Sequence, residues 1–537
     1  MSFINSKILK DLEIFEKIVP KLDHTVTIYG KTKFKELFTT MQFEPELLFR
    51  RQDLLKTILR NSNTASKIRA FLEKISKLQS SINWLFQNND EAFQDLYFQK
   101  EFLNIKELLT AKNFLKIYSP SLTIIIYIII YIILKYNRVP VSINNYLYGI
   151  YQGYKLYITL ILNLIVSGEN FISFLTNILA TTYVFYQFYS IYNSFEFSIS
   201  HYQKCDQFKD KFIDLKKFVK ICRKIYKLDT FLYYEKTLIR KNLISLNKLL
   251  SDNNLNSLGF LILFKKRKHE YEGCFNKILQ YISLVDSFLS ISLLVRDGYS
   301  FPQFDIKSQK PYIMGQGFWY PGQPKSQQVL NDCKLGTPNS MIITGPNTAG
   351  KSTYLRNVML SILLSQTLGV CASQELIFTP FYHLFTYLDI PNVAGNKESL
   401  FEAEILRCMD YCKVIEKLSP NLFAFTIMDE IFTGTNPKEG ISGSYSVCDY
   451  LGTFENSLNI ITTHFGELTK LADLYPQRFK NMKFSVIEKQ DGRFYRPFKL
   501  EDGRSDQHIA IKLLKQKGYN NRIIDGALNK LQQLNTV

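Results

Sequence analysis

The chain has 537 residues and a hydrophobic content of 46%, which excludes a single small domain and allows two to four packed cores. Its formal net charge of +18 favours an anionic partner, either nucleic acid or an acidic membrane surface, without choosing between the two. The eight cysteines lack the paired spacing of a zinc site, and no cleavable signal peptide is recognisable in Met1–Val19. These features favour an intracellular, reducing compartment.

Residues 1–300 are predicted to be mostly α-helical. Residues 1–115 form a helical core-like region, and residues 196–300 form a basic, lever-like region of long helices. Between them, 116–195 contains two runs without any charged residue, 117–134 and 171–192. About 20 uncharged residues are what a membrane-crossing helix requires, and tyrosines and flanking lysines suit membrane interfaces. A membrane hairpin and a buried helical bundle in a soluble protein both fit this pattern.

Residues 301–537 differ in composition and hydrophobic pattern from the preceding 300 residues. Prolines and glycines mark a loop-rich stretch after Arg296, and short apolar runs then alternate with helical segments. This alternation predicts an α/β domain with a mostly parallel sheet. The apolar run Met341–Ile343 predicts a buried strand, and the following Tyr354–Leu368 predicts an amphipathic helix.

The loop between that strand and helix has the spacing of a phosphate-binding P-loop: a Gly, four residues, then Gly-Lys-Ser. Its glycines let backbone N–H groups face phosphates, and the helix beginning near Thr353 directs its positive end at the anion. Lys351 reaches the β- and γ-phosphates, and the Ser352 hydroxyl can hold Mg²⁺. The predicted nucleotide-binding loop comprises Gly345, Pro346, Asn347, Thr348, Ala349, Gly350, Lys351, Ser352 and Thr353.

Two further strand ends carry candidate catalytic residues. The apolar run 422–428 ends in Asp429, which can hold Mg²⁺ through water, and Glu430, which can polarise the attacking water. A second apolar run, Ile460–Thr463, leads into His464, which can hydrogen-bond a γ-phosphate. Ser399 is a candidate N-cap for a helix beginning nearby, and a helix N-terminus with a hydroxyl suits an anion.

Together these segments resemble the MutS-type ATPases of DNA mismatch repair, over roughly residues 325–530. TGPNTAGKSTYLRNV resembles the loop TGPNxGGKSTYxRQ of that family, with Ala349 in place of a glycine. LFAFTIMDEIFTGTNPKEG is similar to LVLMDEIGRGTSTxDG, and TTHFGELTKL to ATHYxEL. Weaker likenesses to the helical core of the family occur at Thr27–Leu59, which contains an Arg-Gln-x-x-Leu helix, and around Asp286.

The resemblance implies an ATP- and Mg²⁺-dependent ATPase with Glu430 as the hydrolytic base, His464 near the γ-phosphate and Asn331 among the nucleotide-binding residues. It also implies a dimer in which Ser399 contacts the nucleotide of the partner subunit, and a clamp that closes and reopens on duplex, mismatched or branched DNA. The mismatch-reading wedge of the family cannot be placed in this sequence. The uncharged runs leave open a different function, a membrane-anchored ATPase that acts on a membrane or protein partner. A degenerate scaffold is disfavoured, because it has no need of a water-polarising acid.

Overall fold

A computed structural model describes residues 2–86, 96, 98–99, 101–163, 169–230, 236–251, 258–266, 268–388, 390, 400–490, 493–505 and 510–535. The chain forms two compact units. The first, called here the sheet unit, consists of Met1–Glu73, Leu228–Tyr234 and Gln280–Val537, and the second, the helical unit, consists of Lys74–Lys227 and Glu235–Leu279. The four segments drawn from the sequence remain a prediction.

Helices dominate the first 300 residues, in agreement with the sequence prediction, and continue between the strands of the sheet unit. The α-helices are α1 (Ser6–Asp11), α2 (Val19–Leu22), α3 (Ile28–Leu37), α4 (Pro45–Arg60), α5 (Ser62–Phe86), α6 (Lys106–Tyr136), α7 (Ile143–Asn163), α8 (Glu169–Leu228), α9 (Lys236–Ser251), α10 (Leu258–Lys266), α11 (Lys268–Arg296), α12 (Lys351–Thr367), α13 (Leu400–Lys417), α14 (Pro437–Gly452), α15 (Lys470–Leu474), α16 (Ala510–Gln516) and α17 (Asn521–Asn535). A π-helical turn, Ile14–Ile18, and short 3₁₀ turns at Glu101–Leu103, Lys325–Gln327 and Gly466–Thr469 complete the helical elements.

The strands are short and, apart from the first two, lie in the C-terminal region. They are β1 (Ser2–Phe3), β2 (Thr40–Met41), β3 (Gln303–Phe304), β4 (Ile313–Phe318), β5 (Asn331–Leu335), β6 (Ser340–Thr344), β7 (Glu375–Phe378), β8 (His383–Tyr387), β9 (Ala424–Asp429), β10 (Ser457–Thr462), β11 (Phe479–Phe484), β12 (Ile487–Glu488), β13 (Phe494–Tyr495) and β14 (Leu500–Asp502).

A six-stranded sheet organises the sheet unit, in the order β14-β11-β6-β10-β9-β8. All neighbouring strands in it are parallel except β14, which pairs antiparallel with β11 at one edge. β6 and β10 are buried at every position, as expected for central parallel strands that are covered on both faces. Since parallel strands end at one edge of the sheet, the residues after β6, β9 and β10 converge there. A second, four-stranded sheet has the order β3-β7-β4-β5.

The helix after β6 differs from the prediction of an amphipathic helix. From Tyr354 to Thr367 nearly every residue of α12 is buried, including Asn357, Ser361 and Gln366. The prediction of one exposed face was wrong, because α12 packs against several elements, among them β2, β4, β9 and β10. Several polar side chains on this helix find buried partners. For example, Ser365 donates to the Ser361 carbonyl at 2.6 Å.

The N-terminal helices pack on the edge of the six-stranded sheet that ends in β8. The Asp11 carboxylate accepts hydrogen bonds from Arg407 of α13 and from the Thr386 hydroxyl of β8 at 2.6 Å. Arg407 also donates through Nε to the Thr386 carbonyl at 3.0 Å. Covering β8 in this way removes an exposed edge strand that could pair with another chain.

We expect Asp11→Ala to lower the free energy of unfolding by about 3 kcal/mol, because it leaves Arg407 buried without its carboxylate. Both side chains of this ion pair are only 11% exposed. Lys7 of the same helix pairs with Asp410 of α13, at 49% and 51% exposure, so Lys7→Ala should cost less than about 1 kcal/mol. Urea unfolding followed by circular dichroism checks both variants. Equal, small losses would show that the Asp11–Arg407 pair contributes no more than a surface pair.

The Arg-Gln pair singled out in the sequence joins α4 to the C-terminal end of α12. Arg51 donates through Nη1 to the carbonyls of Gln366 and Thr367, which the last turn of α12 leaves without intrahelical donors. Burial lowers the pKa of Arg51 to about 10. Gln52 donates to the Pro302 carbonyl at 2.7 Å. α4 therefore holds the C-terminal end of α12, the helix that follows the Gly-rich loop.

Asp286, also singled out in the sequence, fixes the start of α3. Its carboxylate accepts from the backbone N–H groups of Val26 and Thr27 and from the Thr27 hydroxyl at 2.7 Å. Thr27 in turn caps α3 by accepting from the Gly30 N–H at 2.9 Å. Burial raises the pKa of Asp286, and these hydrogen bonds oppose the rise. Asp286 is therefore structural.

By length and composition, one described helix could cross a membrane: α11, whose apolar stretch is mostly buried within the protein. The two parts of α6, Lys106–Leu122 and Ile124–Tyr136, pass the same test only when they are taken together, and they are bent by 49°. The bend lies close to Pro120, which cannot donate to the helix and clashes with the preceding turn. The second uncharged run, Phe171–Tyr192, lies in the first part of α8.

Candidate nucleotide-binding site

The Gly-rich loop lies between the end of buried β6 and the first residue of α12. Gly345 has φ 151° and Gly350 has φ 108°, in the region of backbone space that favours glycine. A Cβ at Gly345 would lie 2.6 Å from the Phe484 carbonyl oxygen, so no other residue fits without a backbone shift. α12 starts at Lys351, two residues before the predicted start near Thr353, and its N-terminus adjoins the loop. A loop of this shape before a helix N-terminus is suited to an anion.

Lys351 is held at the centre of this loop. Its side chain is 4% exposed, and its Nζ donates to the carbonyls of Gly345 at 2.8 Å and Pro346 at 3.3 Å. The same Nζ lies 3.6 Å from Glu430 Oε1 and 3.4 Å from His464 Nε2. Burial lowers the pKa of Lys351, and the charges of Glu430 and Asp429 oppose the lowering. The ammonium group is thus the positive centre around which the predicted catalytic residues gather.

Glu430 and His464 form a close pair beside Lys351. Glu430 follows the last residue of β9, with a left-handed φ of 54°, and its N–H donates to the Thr462 carbonyl at 3.1 Å. Its Oε1 lies 2.6 Å from His464 Nε2, so that the imidazole donates to the carboxylate. The hydrogen bond from His464 lowers the pKa of Glu430, Lys351 adds to the lowering, and partial burial opposes it. Glu430 is therefore ionised at neutral pH.

Asp429, the predicted Mg²⁺ residue, ends β9 and accepts a hydrogen bond from the Thr462 hydroxyl of neighbouring β10. Ser352 lies in the first turn of α12 and is exposed. Within the described ranges, no group of three or more His, Cys, Asp or Glu residues has the arrangement of a metal site. A P-loop Mg²⁺ does not require one, because a hydroxyl, a carboxylate, waters and phosphate oxygens complete its coordination.

A cavity of about 260 Å³ extends from the loop along the first turns of α12. It is lined by residues of the loop and of α12, by Glu430, and by residues of the β4–β5 connection and of the segment before β14. The lining residues are Tyr320, Gln323, Gln327, Val329, Asn331, Asn347, Thr348, Gly350, Lys351, Ser352, Thr353, Tyr354, Asn357, Glu430 and Phe498.

Asn331 lies in this lining but uses its amide group to hold a neighbouring segment. Its Nδ2 donates to the Phe498 carbonyl at 2.9 Å, and its Oδ1 accepts from the Leu500 N–H at 2.9 Å. These bonds fix Phe498 against the loop, where its ring would be 3.2 Å from a Cβ at Gly350. Asn357 Oδ1 is buried and accepts no hydrogen bond from the described residues, so the cavity wall offers an unused acceptor.

Sequence reasoning missed Tyr320 and Phe498, two aromatic residues of the cavity lining. We expect Phe498→Ala to weaken nucleotide binding about tenfold, because a base that stacks on an aromatic ring gains roughly 1–3 kcal/mol. Tyr495→Ala is the matched control, since Tyr495 is an exposed aromatic residue of nearby β13 outside the cavity lining. Titration with a fluorescent ATP analogue measures both affinities. An unchanged affinity in Phe498→Ala would place the base elsewhere.

Glu404 was also missed as a contributor to the site. It lies on α13, is 4% exposed, and its Oε2 accepts from the Gly434 N–H at 3.3 Å. Burial raises the pKa of Glu404, and bonds from Gly434, Tyr387 and Thr433 oppose the rise. Glu404 therefore holds the loop that follows Asp429 and Glu430. One indication of this role was present in the sequence, the position of Glu404 about one turn into the helix predicted to begin near Ser399.

Ser399 lies outside the described residues, so its predicted role stays a prediction. α13 begins at the next residue, Leu400. The structure brings the predicted residues Lys351, Glu430 and His464 together. Asp429 lies at the same edge of the sheet, where its carboxylate accepts a hydrogen bond from Thr462. Asn347, Thr348, Gly350, Ser352 and Thr353 line the cavity, while Gly345 and Pro346 contribute the carbonyls that hold Lys351. Ala349 is buried.

The parallel sheet, the glycine loop and the strand-end acids define an α/β domain built around a Gly-rich loop with P-loop spacing. Residues 341–535 match the model of the family MutS domain V, a domain of the P-loop ATPase type, and the resemblance read from the sequence is confirmed over this part of the chain.

The chain is also similar in sequence to several proteins named DNA mismatch repair protein MutS. The DNA mismatch repair protein MutS of Petrotoga mobilis is 27% identical over 268 residues, which cover 49% of this chain and 32% of the relative. The MutS of Thermosipho melanesiensis is 25% identical over 265 residues, 49% of this chain and 31% of the relative. The MutS of Chlorobaculum tepidum is 30% identical over 200 residues, 37% and 22% respectively. The chain thus spans about a third or less of the length of these relatives.

Proposed function

We propose that the chain is an Mg²⁺-dependent ATPase of the MutS type that acts on DNA in repair or recombination. The observation that carries the proposal is the convergence of Lys351, Glu430 and His464 at the Gly-rich loop, with distances of 2.6 Å to 3.6 Å among their charged or polar atoms. Burying a cation beside an ionised carboxylate and an imidazole costs desolvation energy. Such charge clusters are typical of functional sites.

The residues present fit MgATP. The glycines give the loop its positive-φ backbone, Lys351 supplies a buried cation, and Asn357 Oδ1 is a buried acceptor without a described partner. MgATP, when bound, supplies the phosphoanhydride bond that is broken. Ser352 and Asp429 would hold the metal ion, Lys351 would neutralise phosphate charge, and Phe498 and Tyr320 would contact the base.

Each catalytic role follows from the protonation and position of the side chain. The lowered pKa of Glu430 keeps it ionised, so that it can accept a hydrogen bond from a water molecule and polarise it. His464 fixes the orientation of that carboxylate, because its Nε2–H donates a hydrogen bond to Glu430 Oε1. Lys351 stabilises negative charge that develops at the loop, in a buried position where electrostatic interactions are stronger than in water.

The proposal includes a dimer in which Ser399 acts on the nucleotide of the partner subunit. Ser399→Ala should then lower hydrolysis several-fold at concentrations where dimers form, without lowering ATP affinity in the isolated subunit, because the hydroxyl contacts only the nucleotide of the partner. Hydrolysis measured against protein concentration, with sedimentation to follow the dimer, checks this. A loss of the same size in a dilute, monomeric sample would defeat the role in trans.

DNA is proposed as the partner because of the net charge of +18 and because the relatives are DNA mismatch repair proteins. Lysines and arginines would contact the phosphate backbone, so the affinity should fall steeply with salt. The experiment is steady-state ATP hydrolysis by the purified chain with no DNA, matched duplex, mismatched duplex or branched DNA, at low and moderate salt. The Lys351→Ala variant, which should hydrolyse nothing, reports any contaminating ATPase. Stimulation by DNA supports the proposal, and hydrolysis unaffected by every DNA tested would remove DNA from it.

A further inference from the structure

The isoleucines of α6 are exposed around most of the helix. Eight of them between 124 and 133 are each 38% to 56% exposed: Ile124, Ile125, Ile126, Ile128, Ile129, Ile130, Ile132 and Ile133. At about 100° per residue, these positions cover roughly two thirds of the helix circumference. A helix that is apolar on nearly all sides is typical of a protein core or of a lipid environment, and these side chains are not in the core of the protein. We call them the isoleucine surface.

The narrow remaining face of α6 carries polar groups and packs against α7. Tyr127 and Tyr131 lie on it, and both are only partly exposed. The Tyr127 hydroxyl is 3.1 Å from that of Tyr154, the Tyr146 hydroxyl donates to the Tyr127 carbonyl at 3.0 Å, and the rings of Tyr131 and Tyr146 are 5.2 Å apart. At this contact the hydroxyls of Tyr127, Tyr146 and Tyr154 face the neighbouring helix and the isoleucines of α6 face outward, the reverse of a helix pair in water.

The neighbouring helices extend this apolar surface. α7 exposes Leu156 and Leu160 at 64% and 59%, and α8 exposes Phe185 and Phe188 at 70% and 66%. Between the three helices lies an apolar groove of about 510 Å³, whose lining includes Ile128 and Ile191. Exposed, contiguous apolar surfaces larger than a few hundred Å² mark protein or membrane contact sites.

Basic residues flank the uncharged run of α6 on both sides. The stretch 117–134 would be about 27 Å long as a straight helix, close to the roughly 30 Å hydrocarbon thickness of a bilayer. Lys116 precedes it, and Lys135 and Arg138 follow it. Lys116 lies over the ring of Phe197 at 5.4 Å, and Lys135 over that of Tyr131 at 6.0 Å. Cations beside aromatic rings at the ends of an apolar helix suit the headgroup regions of a membrane.

We infer that the isoleucine surface is immersed in a lipid bilayer, so that the helical unit anchors the protein in a membrane. A protein partner or a second copy of the chain would cover one stripe of α6 and leave the rest of the isoleucines in water, whereas lipid covers all sides. The tyrosine hydroxyls turned toward α7 satisfy one another where no water is available. This inference does not depend on the proposed ATPase activity, and either could hold without the other.

The test uses the full chain, purified in mild detergent and transferred to phosphatidylcholine vesicles with or without phosphatidylglycerol. Flotation on a density gradient, followed by a carbonate wash, separates inserted protein from surface-bound protein. The test variant is Ile126→Glu, Ile129→Glu and Ile133→Glu combined, at positions 56%, 47% and 51% exposed. The control combines Ile306→Glu, Leu474→Glu and Ile487→Glu, at 50%, 61% and 51% exposure in the sheet unit. Circular dichroism confirms that both variants keep the helical content of the parent.

We expect the parent and the control to float with both vesicle types and to withstand carbonate. The test variant should partition into vesicles at least about tenfold less, because carboxylates in the hydrocarbon region are strongly unfavourable. Quenching of Ile129→Trp fluorescence by brominated lipid gives a second readout that needs no charged substitution. A parent that is monodisperse without detergent and does not float overturns the inference. So does flotation that needs phosphatidylglycerol and is lost in carbonate, or a detergent-free dimer that the test variant dissociates.

Discussion

Replacing Glu430 by Gln is expected to lower ATP hydrolysis by about 10²–10⁴-fold while ATP binding is retained. Gln keeps the shape of the side chain and can still accept a hydrogen bond from His464. It carries no negative charge, however, and cannot accept a proton from the attacking water. Single-turnover hydrolysis and equilibrium titration with ATP separate the two effects. With hydrolysis blocked, the protein should accumulate in its ATP-bound form, which we propose to be a closed dimer.

The same substitution should change how binding depends on pH. Burial lowers the pKa of Lys351, and Glu430 is the first of the groups that oppose this lowering. Without that carboxylate the pKa of Lys351 falls further, so the ammonium loses its proton at a lower pH. ATP affinity of Glu430→Gln should therefore decline at a lower pH than that of the parent as pH rises. Titrations over a pH series measure the shift.

Glu467→Gln is the matched control for both readouts. Glu467 lies in the turn after His464, is 52% exposed and pairs on the surface with Lys470. Its replacement should leave hydrolysis and the pH profile within about twofold of the parent, since exposed ion pairs contribute little. Hydrolysis by Glu430→Gln at the parent rate would show that another group polarises the water.

The local chain order of the site could be predicted from the sequence. Apolar runs before Gly345, Asp429 and His464 predicted strands, and parallel strands bring their C-terminal ends together, so convergence of these residues followed from topology. The sequence could not predict that Lys351 bonds the carbonyls of its own loop, or that one oxygen of Glu430 lies near both Lys351 and His464. Those contacts depend on side-chain rotamers and on the left-handed backbone at Glu430, which no periodicity encodes.

Contacts between distant parts of the chain were the least predictable. The Asp11–Arg407 pair joins residues almost 400 positions apart, and nothing in the local sequence around either residue indicates the other. The same holds for Arg51 and the end of α12. In the helical unit, composition identified the uncharged runs but left a buried bundle and a membrane hairpin equally consistent. Our inference of a membrane environment rests on the direction of side chains, with the isoleucines of α6 outward and the hydroxyls of Tyr127 and Tyr154 facing each other between α6 and α7.

Replacing Lys351 by Met is expected to weaken ATP binding by at least about 100-fold, because hydrogen bonds to charged groups contribute roughly 1.5–3 kcal/mol each and Met supplies none. The aliphatic chain of Met still fills the space at the loop. Lys334→Met is the control, since Lys334 is an exposed lysine of β5 in the same unit. Calorimetric titration with a non-hydrolysable ATP analogue measures the loss. Binding that survives in Lys351→Met would place the nucleotide away from the Gly-rich loop.

The double variant Lys351→Met with Glu430→Gln separates lost recognition from a destabilised site. Lys351→Met alone leaves the ionised, partly buried Glu430 without its neighbouring cation, and this should lower the free energy of unfolding. Removing the second charge should restore much of that stability, because no unpaired carboxylate remains. It should not restore ATP affinity, since the missing cation is what the phosphates require. Recovery of both stability and affinity would mean that Lys351 maintains the fold of the loop and does not bind phosphate.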